Sequence, residues 1–300
     1  MPEKTARPLL IYLYLTLTMF FWAGTFVAGR ILGQNLPPSV AGFLRFFVAS
    51  SSLFLVLRIK FGAIPRPEKE QLLPLLLLGF TGIFAYNIFF FKGLQHIEAG
   101  RAALFIAATP LMITITATLF LKERLSLKGF LGVLLSFTGA VIVISNGHPE
   151  KVLQGGFGIG EQSLLGCAAS WAAYTLASRK VLISMSPLSA VCFSCMLGTA
   201  MLFPFAIGDG LFTLMPQITD LGWICVLYMG VGGTALGFCW YYKALKAIGT
   251  TKTSIFLNLV PIFTLILGHF ILGEYVNISV LAGGLLVLTG VTITNFQKDN

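Results

Sequence analysis

Ten runs of nearly unbroken apolar residues divide this sequence: Leu9–Ala28, Val40–Leu57, Leu72–Phe91, Ala102–Leu121, Leu127–Ser145, Leu164–Lys180, Leu188–Ile207, Leu221–Tyr242, Ser254–Leu272 and Ile278–Thr294. Each is close to the ~20 residues with which an α-helix crosses a hydrocarbon core. Inside a bilayer every backbone polar group must be satisfied within the protein, so the choice is between helices and closed barrels. Barrel strands alternate in polarity, and these runs do not. The separators are short and hold breakers or charge: Pro37-Pro38, Pro65 and Pro67, Lys122-Glu123-Arg124, Ser186-Pro187 and Pro216. The expectation is an all-α integral membrane protein of about ten transmembrane helices. The first run is long enough to span and lacks a small-residue cleavage site, so it reads as a retained helix rather than a signal peptide.

Composition agrees. Of 300 residues, 56% are hydrophobic and only 10% charged, against about 25% charged in a soluble domain. The net charge of +9 would point to nucleic acid in a soluble protein, but the basic residues lie between apolar runs. With ten spans, one side of the membrane receives fifteen Lys and Arg residues, including Arg58, Lys60, Lys122, Arg124, Lys128, Arg179 and Lys243. The other side receives Arg30, Lys92, Arg101 and Lys151, and Arg45 falls inside a span. By the positive-inside rule both termini are expected in the cytoplasm. The expected location is the cell inner membrane.

The two halves of the chain resemble each other. Pro110 and Pro261 are 151 positions apart, and so are Gly79 and Gly230, Gly82 and Gly233, Lys92 and Lys243, Phe105 and Phe256, Glu123 and Glu274, Gly132 and Gly283, and Gly139 and Gly290. At an offset of 149, Trp22 pairs with Trp171, Ala28 with Ala177, Arg30 with Arg179 and Pro38 with Pro187. Shared apolar composition would not align proline, glutamate and glycine together. The expected division is a first repeat over residues 1–147, a glycine-rich linker over 148–162 and a second repeat over 163–300. About five helices per repeat is an odd number, so the second repeat is inverted. Inverted repeats are typical of alternating-access carriers.

The stretch from Thr109 through the terminal Glu123 to Gly139, and its copy from Val260 through Glu274 to Gly290, resemble the EamA-type domain. Two copies in about 300 residues are similar to the drug/metabolite transporter superfamily. The resemblance implies ten helices and the export or exchange of small metabolites, often amino acids or drugs.

Several residues are candidates for a substrate cavity. Arg45 lies in the run Gly-Phe-Leu-Arg-Phe-Phe-Val, where a charge at mid-membrane costs about 2.5–3.5 kcal/mol on insertion scales. It is either a structural cation bonded to backbone carbonyls or an anchor for a substrate carboxylate. The tryptophans Trp22 and Trp171 stand among small residues and are read as walls of one pocket with Arg45 and Tyr86, while a lipid-interface position is the alternative. Asn87, Phe90, Tyr174, Trp240 and Asn258 add aromatic and amide groups. Pro110 and Pro261 are read as mid-helix bends. Glu123, Glu274 and His269 leave proton coupling open, with caps and local hydrogen bonds as the simpler reading. Cys192 and Cys195 form a C-x-x-C pair, read as two small residues on one helix face.

No Walker A motif is present, so the chain itself is not expected to hydrolyse ATP. No cofactor or metal motif stands out. The partners implied are a small-molecule substrate and the lipid bilayer, not nucleic acid, and nothing in the sequence sets an oligomeric state. The leading expectation is a secondary transporter rather than an enzyme. The alternatives are a membrane-embedded enzyme or a channel with no transport cycle.

Overall fold

In the computed structural model the described residues are 8–62, 67–109, 112, 127–148 and 158–295. They are helical, with short turns between the helices. In chain order the helices are α1 (Pro8–Asn35), α2 (Pro38–Phe61), α3 (Lys69–His96), α4 (Ala99–Ile106), α5 (Leu127–Ile144), α6 (Ile159–Ser184) and α7 (Pro187–Gly208). After a single helical turn Leu211–Leu214 and a 3-10 turn Met215–Gln217 come α8, α9 (Leu259–Leu272) and α10 (Ile278–Asn295). Helix α8 is built from Asp220–Leu227, a π-helical stretch Tyr228–Leu236, and Gly237–Phe256.

Among the described residues, five helices are long and apolar enough to cross a membrane: Leu9–Asn35, Pro38–Lys60, Lys69–His96, Pro187–Gly208 and Asp220–Ala244. Leu127–Val143, Leu259–Leu272 and Ile278–Ile293 are shorter apolar helices. Helix α6 has 26 residues but falls outside the set of five. Its Ser163, Ser170, Thr175 and Ser178 dilute its hydropathy.

Local chemistry explains the helix starts. Pro38 and Pro187 both occupy the first turn of their helices, where the missing N–H is no loss. The Ser186 hydroxyl caps α7 by accepting from the Ser189 N–H at 3.2 Å. Thr219 does the same for α8 through Gly222 at 3.2 Å. One separator differs from expectation. The stretch between Tyr242 and Ser254 is helical, and the chain leaves the helix only at Leu257 and Asn258. Lys243 to Lys246 are all compatible with a helix and contain no proline.

The packing is two-fold in pattern. Helix α5 packs on α10 and α2 packs on α7. Helix α1 packs on α8 and α9, just as α6 packs on α3 and α4. Helix α2 touches α8 as α7 touches α3. Exchanging each helix for the one five places along leaves these pairs unchanged. The glycines repeated in the sequence make the contacts. A Cβ on Gly139 would lie 2.5 Å from the Gly283 carbonyl oxygen, and one on Gly290 would lie 2.5 Å from the Gly132 carbonyl oxygen. The Ser50 and Thr199 hydroxyls, one from each repeat, meet at 3.0 Å between α2 and α7. Without a hydrophobic force between helices in lipid, such close approach is what holds them together.

Cys192 and Cys195 are free and buried on α7. They belong to an apolar cluster with Phe46, Leu53 and Leu57 of α2.

Candidate functional site

Helices α3 and α8 each change to π-helical register at the same place in their repeat, over Gly79–Ala85 and Tyr228–Leu236. Such stretches are rare and concentrate at functional sites. Each is held against the other repeat by its glycines. A Cβ on Gly79 would lie 3.2 Å from the Ser194 carbonyl oxygen of α7, and one on Gly230 would lie 3.0 Å from the Arg45 carbonyl oxygen of α2. Gly82 abuts Tyr174, and Gly233 abuts Thr25, the repeat counterpart of Tyr174. Hydropathy carries no sign of a π register. The repeated glycine pair was the available signal.

Arg45 lies beside the first of these stretches. Its guanidinium donates to Asn87 Oδ1 at 3.2 Å. Asn87 is fully buried and spends its own amide N–H on the Ile83 carbonyl at 2.7 Å, inside the π stretch. The Arg45 guanidinium also lies 5.0 Å from the Phe46 ring and 5.7 Å from the Phe90 ring, within cation–π range. Its Nε is buried and without a hydrogen-bond partner. Among the described residues the groups in electrostatic range are Tyr86, Cys195 and Cys167, none of them a carboxylate. A guanidinium with a free donor and no anion is suited to receive one.

An aromatic wall continues from this point. Phe90 stacks on Tyr86 with centroids 5.8 Å apart. Tyr86 meets Trp171 at 5.4 Å, and Trp171 stacks on Tyr174 at 5.1 Å. Helices α2, α3 and α6 thus bring together Arg45, Tyr86, Asn87, Phe90, Trp171 and Tyr174, with residues from both repeats.

The other candidates have different immediate neighbours. The Trp22 indole N–H donates to the Gly233 carbonyl at 2.8 Å, and its ring packs on Phe238 at 5.6 Å and Tyr241 at 5.2 Å. It makes no ring contact with Trp171 or Tyr86 in the structure. Trp240 stacks on Tyr14 at 5.4 Å and tilts against Phe21 at 5.7 Å. Asn258 donates to the Thr292 hydroxyl at 3.0 Å and ties α9 to α10. Pro261 sits in the first turn of α9, after the break at Leu257 and Asn258, and not in mid-helix, so its missing N–H removes no ladder bond. Pro110, Glu123 and residues 149–157 of the linker lie outside the described residues. Between Trp22 and Tyr174 stand Tyr241 and Tyr242, whose rings meet at 5.9 Å, and Tyr242 lies within electrostatic range of Tyr174. Tyr242 and Phe238 escaped the sequence reading because single aromatics in an apolar helix do not announce which face they occupy.

One end of the bundle is tied by charge. Glu274 follows α9 and accepts from the Ala99 N–H at 2.9 Å and the Gly100 N–H at 3.2 Å, which caps α4 of the other repeat. Arg30 of α1 lies 3.9 Å from Glu274 and donates to the Leu94 carbonyl of α3. Arg101 pairs with Glu161 of α6 at 2.8 Å and donates to the Val143 carbonyl at 3.0 Å. The His269 ring contacts the Glu274 carbonyl at 3.2 Å.

Comparison with known proteins assigns the family. Residues 9–145 and 158–296 each match the sequence profile of the EamA-like transporter family. The transporter YyaM of Bacillus subtilis, itself described as uncharacterized, is 27% identical over 94% of this chain and 92% of its own length. A protein of Streptantibioticus cattleyicolor named "Probable terminal-alkyne amino-acid exporter" is 28% identical over 94% of this chain and 92% of its own. A solved crystal structure superposes with a TM-score of 0.65 at 20% identity, covering 96% of this chain and 98% of that one, which is a likeness of fold. The chain, a multi-pass membrane protein built from two repeats, belongs to the EamA-like transporter family.

Proposed function

We propose that this chain is a secondary carrier of the cell inner membrane that exports or exchanges small zwitterionic metabolites, of which amino acids are the type, by alternating access. It works through about ten spanning helices in two inverted repeats, residues 1–147 and 163–300 joined by the linker 148–162, with both termini in the cytoplasm. The observation that carries this reading is Arg45. It is a cation in an apolar helix; among the described residues its buried Nε has no partner and no carboxylate is in range. The substrate carboxylate completes its coordination, and Tyr86, Phe90, Trp171 and Tyr174 receive the rest of the molecule by ring contact. The Streptantibioticus relative, named for an amino-acid substrate, supports the substrate class. Because helices of both repeats furnish the site, rocking one repeat against the other exposes it to each side in turn.

The test compares metabolites released by cells overproducing the native chain with those released by cells overproducing Arg45→Ala. Carboxylate-bearing compounds should accumulate outside only with the native chain. Equal release by both would remove Arg45 from the substrate site. A strict ATP requirement for transport in liposomes holding the purified chain alone would remove the carrier reading.

A further inference from the structure

Among the described residues, three acids cluster at the charged end of the bundle. Glu274, Glu161 and Glu98 face two guanidiniums, Arg30 and Arg101. Glu161 takes Arg101, and Glu274 takes Arg30 together with two backbone N–H groups. Glu98, the residue just before α4, has no ion pair or side-chain hydrogen bond among the described residues and lies half-buried next to Ala99, whose N–H binds Glu274. The elements that meet here are α1, α3, α4, α5, α6 and the segment after α9, so both repeats are joined.

We infer that Glu98 is a proton-binding site that latches this end of the carrier shut, an inference that rests on the carrier reading above. An ionised Glu98 places a second negative charge against Glu274 in a partly dry site, and a protonated Glu98 does not. Burial, followed by the nearby Glu274, raises the Glu98 carboxyl above its ordinary value, against the opposing pull of Arg101 and Arg30. When this end opens, water reaches the group and its affinity for the proton falls back to that of an ordinary carboxyl. A group whose affinity for the proton is higher in the closed state favours closure at low pH. That preference is fully present below the ordinary carboxyl value and is lost as pH rises through the raised one. Among the described residues the other titratable groups at this end include His269, which touches the Glu274 backbone, His96 in the last turn of α3, His148 after α5 and Tyr275 after α9, all of them exposed.

The latch belongs to one end only. At the repeat offsets, the counterpart of Glu98 is Gly249 and that of Glu161 is Tyr12, whereas Arg30 and Glu274 keep their partners as Arg179 and Glu123. In the sequence the residue types of the capping pair recur at the repeat positions, and the two further acids do not. By the distribution of Lys and Arg this end faces outward, so external acid would hold the carrier closed to the outside and open to the cytoplasm.

The experiment uses the purified full chain in lipid nanodiscs, where both faces are accessible. A cysteine replaces Ile97, which is buried at the latch, and in a second variant a cysteine replaces Tyr275, which is exposed at the same end. Labelling by N-ethylmaleimide is quantified on the peptide carrying each position, and the Tyr275→Cys rate normalises the intrinsic pH dependence of the thiol. The normalised labelling at position 97 should rise about fivefold between about pH 5 and pH 7.5. With Glu98→Gln it should stay at the low value throughout, and with Glu161→Gln, which breaks the Arg101 pair, it should be high at both. A pH response unchanged by Glu98→Gln overturns the proton site. So does a flat native profile alongside an open Glu161→Gln, and both results leave the carrier reading standing. Low labelling in every variant at every pH would mean that this end does not open, which overturns the alternating-access reading itself.

Discussion

The two repeats share a scaffold but part company where the scaffold meets the centre of the molecule. In the first repeat the π stretch of α3 is followed by Tyr86 and Asn87, and in the second the π stretch of α8 is followed by Gly237 and Phe238. Tyr86 faces Trp171 as a ring partner. Gly237 presents no side chain, and Trp22 closes on the backbone there: a Cβ on Gly237 would lie 2.7 Å from its indole nitrogen. Asn87 holds Arg45, while the counterparts of those two residues are Phe238 and Ser194. Two equivalent tryptophans therefore sit in different surroundings. Trp171 belongs to the aromatic wall beside the free cation, and Trp22 is bonded into the helix that faces it. One repeat sets a cation among aromatic rings at this position, and the other fills it with the Trp22 indole.

The comparison is broken most severely at the shared scaffold. Gly139→Leu or Gly290→Leu should separate α5 from α10, because the opposing atoms are backbone and cannot turn aside. Overpacking of this kind typically costs about 1–3 kcal/mol, and more where nothing yields. The expected result is loss of monodisperse protein on size exclusion in detergent, with membrane insertion intact. If both variants purify normally, the two-fold glycine contact is not what holds the repeats.

Next in size is the cation. Arg45→Gln should lower transport of a carboxylate-bearing substrate by about 10–100-fold, the worth of a charge-assisted hydrogen bond of roughly 1.5–3 kcal/mol, with the melting temperature retained or raised. Arg45→Lys should recover only part of the activity, since an ammonium cannot offer the forked donors of a guanidinium. Loss of folding instead of transport would make Arg45 a structural cation.

The tryptophans sharpen the contrast further. Trp171→Ala should cut transport about tenfold, the upper end of a substrate ring contact worth about 0.5–1.5 kcal/mol, with a smaller fall in melting temperature than Trp22→Ala, since it gives up ring contacts with Tyr86 and Tyr174 but no hydrogen bond. Trp22→Ala should instead lower thermal stability, through loss of the Gly233 hydrogen bond and two ring contacts, while transport per folded molecule stays near normal. Identical behaviour of the two variants would put them back in one pocket. The smallest effect is expected at Gly237→Ala. The atom it meets is the indole nitrogen of Trp22 rather than backbone, so a small shift of that ring at a cost of about 1 kcal/mol, read as a modest fall in melting temperature, is the expected outcome.

Much of this molecule was legible before any coordinates. Long apolar runs report insertion into lipid because insertion depends on local hydropathy, and the constant offsets of Pro261, Glu274 and Gly290 from their partners report duplication because duplication preserves spacing. Arg45 stood out for the same reason, since a charge in such a run is costly wherever its neighbours lie. Tertiary structure decided the rest. That α3 and α8 pass into π register depends on glycines pressed against a helix of the other repeat. That Glu274 caps α4 across 174 and 175 residues of sequence depends on which helix ends are brought together. That Trp22 and Trp171 differ depends on what faces them, Gly237 in one case and Tyr86 in the other. Hydropathy and periodicity describe how a segment meets its solvent, whereas these features arise where one segment meets another, and in lipid that meeting is determined by close packing and hydrogen bonds.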